Sequence, residues 1–132
     1  MVLRGWPGYQ CPICTRQVGE FLSYADEFEK RGATVLMVYP GPSKYLEDHA
    51  SEFVEDTLFP DNFIFTLDPD YTFTNLYELR WDEEGETAYP STFIIDSEMR
   101  IRYSVISDSH GGRADAEDVL KALDAINTNT LK

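Results

Sequence analysis

Between Ala33 and Tyr39 the chain reads ATVLMVY, an unbroken apolar and β-branched run closed by Pro40-Gly41-Pro42. A run this short and this branched is too brief for a buried helix and reads as a strand covered on both faces. Such strands occur in parallel sheets with helices packed against them.

The flanks agree with that reading. Upstream, Ile13, Val18, Phe21, Leu22, Ala25 and Phe28 recur at helical spacing from Pro12 to Lys30-Arg31-Gly32, a basic last turn with a glycine stop. Downstream, Ser43 caps a predicted helix reaching about Val54, and Phe59-Pro60-Asp61-Asn62 is a turn. Phe63 to Leu67 reads as a strand, Asp68-Pro69-Asp70 as a helix start, and Tyr71 to Leu79 as a short helix. Thr92 to Asp96 and Ile101 to Ser107 form a predicted antiparallel hairpin around Ser97-Glu98-Met99-Arg100. Ala114 to Ile126, with Val119, Leu120, Leu123 and Ile126 on one stripe, closes the chain as a helix. Residues Met1 to Leu3 look like the end of a further strand, which Gly5-Trp6-Pro7-Gly8 cannot continue.

The expected architecture is α/β: a three-layer α/β/α sandwich around a mixed five-stranded sheet, helices on both faces, with a C-terminal hairpin and helix. Right-handed crossovers leave few arrangements, one of them thioredoxin-like. At 132 residues the whole chain, 1–132, is expected to be one domain, its first strand shortened at the upstream end.

Charge narrows the function classes. Eleven Lys and Arg against 24 Asp and Glu leave −13, which opposes nucleic acids and anionic membranes. Arg4, Arg16, Lys30 and Arg31 balance Glu20, Asp26, Glu27 and Glu29, so residues 1–31 are neutral, and both cysteines lie there. The densest acidic cluster, Asp82-Glu83-Glu84 with Glu86, reads as a solvated loop. No run approaches the roughly 20 apolar residues that span a bilayer, and no signal peptide is evident, so a soluble, cytoplasmic protein is expected.

The chemistry concentrates in Cys11-Pro12-Ile13-Cys14, placed after a strand and opening a helix. Unpaired amides and the helix dipole at that position favour thiolate, the reactive form, most of all for the upstream cysteine. The second sulfur lies one turn on, within reach of the Cα separation of about 4.4–6.8 Å that a disulfide needs. Pro12 suits the first turn, where its missing N–H costs nothing. Cys11 is thus the expected nucleophile and Cys14 the resolving thiol. A structural zinc site needs four ligands, and only His49 and His110 stand elsewhere, so no metal is expected. Two inert core cysteines are the other alternative, against which the strand, glycine turn and helix start argue.

Arg4-Gly5 ahead of the Cys-X-X-Cys, the segment Leu67-Asp68-Pro69-Asp70 before a Tyr-containing helix, and Tyr89-Pro90-Ser91-Thr92-Phe93-Ile94-Ile95-Asp96 leading to Arg100-Ile101-Arg102-Tyr103 together carry a resemblance. From Leu3 onward the chain resembles the alkyl hydroperoxide reductase/thiol-specific antioxidant group, peroxiredoxin-like proteins of the thioredoxin-fold superfamily. The resemblance implies hydroperoxide reduction by a thiol cycle without metal or organic cofactor, with a thioredoxin-like or small thiol as reductant. It also implies a cis Tyr89–Pro90 bond facing the cysteines and lining the substrate groove.

Departures from the family pattern keep alternatives open. Where such proteins place a proline seven residues and a Thr or Ser three residues before the reactive cysteine, this chain has Arg4 and Gly8. Where they place an arginine before the strand ending in Ile-Asp, it has Pro90. Protein-disulfide reduction needs only the dithiol, a groove and the proline, and a non-enzymatic redox-sensing domain needs less still. Trp6, Pro7 and Tyr9 are expected at the groove rim with Pro12, Tyr89 and Pro90. Arg4, Arg16 and Arg113 are candidate thiolate stabilisers, and Asp108, Ser109 and His110 are expected at the same edge. A homodimer that covers the shortened strand is a candidate assembly.

Overall fold

The computed structural model describes residues 1–3, 12–44, 46–54, 58–81, 87–107 and 114–130, with positions 12–15, 49, 52–54 and 128–130 described as backbone. The helices are α1 Pro12–Ser23, α2 Ala25–Lys30, α3 Leu46–Val54, α4 Thr72–Leu76 and α5 Ala116–Thr130, and the strands β1 Val35–Gly41, β2 Phe63–Pro69, β3 Ser91–Ile95 and β4 Ile101–Ile106.

Strands β1 and β2 pair in parallel, Val35 opposite Phe63 through Gly41 opposite Pro69. Strands β3 and β4 pair antiparallel, Ser91 opposite Ile106, with an irregularity between Ile94 and Ile95. Val2 joins the two ladders, bridging Val38 in parallel and Ser91 antiparallel. Its amide donates to the Ser91 carbonyl at 2.7 Å, while Leu3 N donates to Val38 O and Val38 N to Met1 O, both at 2.8 Å. The sheet order is therefore β2, β1, Val2, β3, β4. The fifth strand expected from the sequence is reduced to this bridge, consistent with the Gly5-Trp6-Pro7-Gly8 sequence that follows it.

One face carries α1, α2, α3 and α5, whose Val18, Phe21, Phe28, Leu46, Ala50, Val119 and Leu120 bury against Leu3, Met37, Tyr39, Phe63 and Ile94. Each large side chain so buried contributes about 1.5–3 kcal/mol. The other face holds Val2, Val38, Leu79 and Ala88 under Phe73, Tyr77 and Phe93. Among the described elements only α4 lies on that side, as right-handed crossovers require: the connections through α1 and α3 step one way along the sheet and the one through α4 steps back.

Three expectations change in detail. The strand expected to be covered on both faces leaves Leu36 45% exposed, because α4 is too short to reach that end. Pro40 lies inside β1 rather than ending it; its missing N–H falls on the side away from β2, so no bond of the parallel ladder is lost. The first helix breaks at Tyr24, where the Ser23 hydroxyl donates back to Glu20 O at 2.6 Å and Tyr24 N makes a tight bond to Phe21 O. The apolar stripe survives the break, with Phe21 and Phe28 stacked at 5.6 Å.

Candidate active site

Helix α1 begins at Pro12, so Cys14 sits in its first turn and Cys11 immediately precedes it. That turn holds no acidic residue to oppose a thiolate, and α1 adds a single cation, Arg16, which is exposed. Cys11, Arg4, Trp6, Tyr9, Asp108, Ser109, His110 and Arg113 lie outside the described residues, as does the acidic stretch 82–86; Pro12 and Cys14 are described as backbone.

The topology brings the described candidates to one edge. Residues 1–3, β1 and β2 all run toward it, and the chain leaves Leu3 there to reach Pro12. Strand β3 starts at the same edge because Ser91 opposes Val2, which sets Pro90, fully buried, at the level of Leu3. Strand β4 ends there: Ser107 N donates to Pro90 O at 2.9 Å, and residues 108–113 follow. In open α/β sheets this carboxyl edge is where ligands bind.

Tyr89 is half-buried and stacks on Trp81, with ring centroids 5.0 Å apart and planes 15° apart. Backbone bonds hold the pair, Trp81 N to Thr87 O at 3.1 Å and Tyr89 N to Leu79 O at 2.9 Å. The Arg80 guanidinium donates to the carbonyls of Trp81 and Thr87 and lies 4.2 Å from the centre of the Tyr71 ring. Burial raises the Tyr71 phenol above its ordinary value, opposed by Arg80 and reinforced by Asp70.

Residues that support this edge escape the sequence reading. Gln17, buried one turn beyond Cys14, donates to Ala114 O at 3.1 Å. Its signal was present as a polar residue inside the apolar stripe. Asp68, also buried, accepts from Phe73 N, Thr74 N and the Thr74 hydroxyl at 2.7–2.8 Å and so caps α4. Arg80 and Trp81 carried no recognisable spacing. Among the described residues no group of three or more His, Cys, Asp or Glu is placed to hold a metal, and no helix is long and apolar enough to cross a membrane.

Comparison with known proteins gives a consistent result. A probable 1-Cys peroxiredoxin of Syntrichia ruralis is 29% identical over 129 residues, covering 91% of this chain; the chain spans 57% of that relative's length. The crystal structure of Enterococcus faecalis AhpC, at 19% identity, superposes with a TM-score of 0.72 over 95% of this chain and 72% of that one. A yeast mitochondrial 1-Cys peroxiredoxin, at 18% identity, gives 0.70 over 98% of this chain and 63% of the other. These likenesses establish the thioredoxin fold. The AhpC/TSA family model matches residues 1–104, and the chain belongs to that family.

Proposed function

We propose that the chain is a thiol-dependent peroxidase in which Cys11 is the nucleophile and Cys14 the resolving thiol. The observation that carries this reading is the start of α1 at Pro12, at the carboxyl edge of the sheet of an AhpC/TSA family member. The Cys11 thiolate attacks the terminal oxygen of a hydroperoxide. An S–O bond forms, the O–O bond breaks, and the leaving alkoxide takes a proton to depart as alcohol. Cys14 then attacks the resulting sulfenic acid; the S–S bond forms and water leaves. Two electrons from a thioredoxin-like dithiol or two small thiols restore the pair, so no metal or organic cofactor takes part.

A second reading, reduction of protein disulfides by the same pair, is favoured by Gly8, which lacks a hydroxyl to hold a peroxide, and by the buried Pro90 at the head of β3. Mass spectrometry after mild peroxide tests the roles: sulfenic acid is expected to accumulate on Cys11 in Cys14→Ser, and Cys11→Ser is expected to be unreactive. Faster oxidation of Cys14 in Cys11→Ser reverses the assignment. Turnover of peroxide with a thiol donor supports the first reading; insulin-type disulfide reduction without peroxide turnover supports the second.

A further inference from the structure

The chain reaches Pro90 through a short antiparallel ribbon on the α4 face of the sheet. Residues 79–81 pair with 87–89, Arg80 opposite Ala88, with Trp81 N bonded to Thr87 O and Tyr89 N to Leu79 O. Leu79 and Ala88 seat the ribbon against Val2 and Val38. Thr87, Ala88 and Pro90 are fully buried, so a shift of the ribbon is carried through packed side chains to Pro90 at the cysteine edge.

Arg80 fastens this ribbon at two places. Its Nη1 donates to the Trp81 carbonyl and, at 2.8 Å, to the Thr87 carbonyl, which also accepts from Trp81 N. Those carbonyls bracket residues 82–86, so one nitrogen ties the point of departure to the point of return. The guanidinium carbon lies 4.2 Å over the centre of the Tyr71 ring, within cation–π range. Tyr71 belongs to the turn after β2, which is anchored on its own account: Asp70 N donates to Gly41 O at 2.7 Å, and the Asp70 carboxylate accepts from Ser43 N at 2.9 Å. Arg80 thus joins the ribbon to the carboxyl ends of β1 and β2. Tyr71 stands at φ 63°, a conformation that a bulky side chain rarely adopts and that persists where the surroundings impose it. What the strained residue supplies is the seat for the guanidinium.

We infer, taking Cys11 and Cys14 as the reactive pair, that Arg80 is a positioning residue for their reaction: held between the ribbon base and the Tyr71 ring, it fixes Tyr89 and Pro90 at the edge where substrate meets the cysteines. It works through two carbonyls and a ring rather than through its charge, so the acidity of Cys11 is independent of it. A lysine keeps the charge, but its ammonium ends one bond short of Nη1 and has no plane to lay on Tyr71, so it is a poor substitute here. Misplacing substrate by about 1 Å through such a distant support costs up to roughly a hundredfold in rate.

The test compares the 132-residue chain with Arg80→Met, Arg80→Lys and Tyr71→Leu in three measurements. These are kcat/KM for whichever oxidised substrate the parent turns over, tert-butyl hydroperoxide or insulin; the pH profile of Cys11 alkylation by iodoacetamide, read by mass spectrometry; and hydrogen exchange at the Tyr89 amide. Both Arg80 variants are expected to lose about tenfold or more in kcat/KM and to exchange Tyr89 about tenfold faster, with the alkylation profile unmoved. Tyr71→Leu is expected to lose several-fold, and to add nothing to Arg80→Met because the two share one contact; it carries the test if the Arg80 variants fail to fold. Unchanged kcat/KM in Arg80→Met overturns the inference. So does recovery in Arg80→Lys or a displaced alkylation profile, since either would mean that Arg80 acts by charge on the thiolate. A parent that reduces neither substrate overturns the reading of the cysteine pair and this role with it, whereas an active parent with unaffected variants overturns the role alone.

Discussion

Gln17 holds the carbonyl of Ala114 through a buried hydrogen bond of 3.1 Å, so the helix that begins at the cysteines is tied to the start of the last helix. Glu20, one turn further along, accepts from Ala116 N at 2.7 Å and supplies a partner to an otherwise unpaired helix amide. Gln17→Leu keeps the volume but strands a buried carbonyl, and should cost about 1–3 kcal/mol in urea unfolding. Gln17→Glu should cost more, since it turns an acceptor and a charge toward the same carbonyl. Equal stability of the three proteins would mean that water serves Ala114 as well as the amide does.

Asp68 anchors a strained turn. Its oxygens receive Phe73 N, Thr74 N and the Thr74 hydroxyl, while Asp70 and Tyr71 follow at φ 57° and 63°, in the left-handed region. Asp68→Ala leaves those donors buried without an acceptor, and a loss of about 3 kcal/mol is expected. Asp68→Asn should fall between, because its NH2 opposes donors that the carboxylate accepted. Near-ultraviolet circular dichroism should report the change through the Phe73–Tyr77 stack, whose ring centroids are 4.3 Å apart.

These two residues mark where sequence reading reaches and where it stops. Periodicity finds a helix, so the α1 stripe and the position of Cys14 at its start were legible, and Pro12 confirmed the first turn because its chemistry fits only there. The resemblance supplied the fold because it rests on several motifs in order. Asp68 acts over five and six residues, outside the three-residue window in which a cap is recognised, and so was read only as part of a helix start. Leu36 shows the same limit in packing. Its apolar run says that a strand is buried, but coverage depends on which crossover steps back across the sheet, and among the described helices α4 alone lies on that face. The break at Tyr24 interrupts no apolar spacing and left no trace in the pattern.

Gly32 ends α2 at φ 70° in a six-residue closing motif, with Ala33 N bonded to Phe28 O at 3.0 Å and Gly32 N to Glu29 O at 2.9 Å. A Cβ placed there meets nothing within 4 Å, so Gly32→Ala tests conformation free of steric clash. A cost of about 1 kcal/mol is expected in thermal or urea unfolding. A neutral result would show that the chain relaxes out of the left-handed region at no cost, and would remove the reason for glycine at this stop.

Asp96 controls the tip of the β3–β4 hairpin and should make stability depend on acid. Its Oδ1 accepts from Glu98 N at 2.9 Å and Arg100 N at 3.0 Å, and Arg102 reaches Oδ2 at 3.3 Å, around a turn whose Met99 stands at φ 64°. The Arg100 amide above all favours the ionised carboxylate; desolvation, the next largest effect, opposes it, and the Arg102 guanidinium and the Glu98 amide add to the first, so that the group is held below its ordinary value of 3.8. A folded-state value below the unfolded one means that the contribution is complete above the unfolded value and is lost as pH falls through the folded one. Urea midpoints measured from about pH 7 to about pH 2.5 should therefore fall more steeply in the parent than in Asp96→Asn over the acid end, with the variant less stable at neutral pH. Parallel curves would show that the turn holds without the charge and that its two amides accept any oxygen at that position.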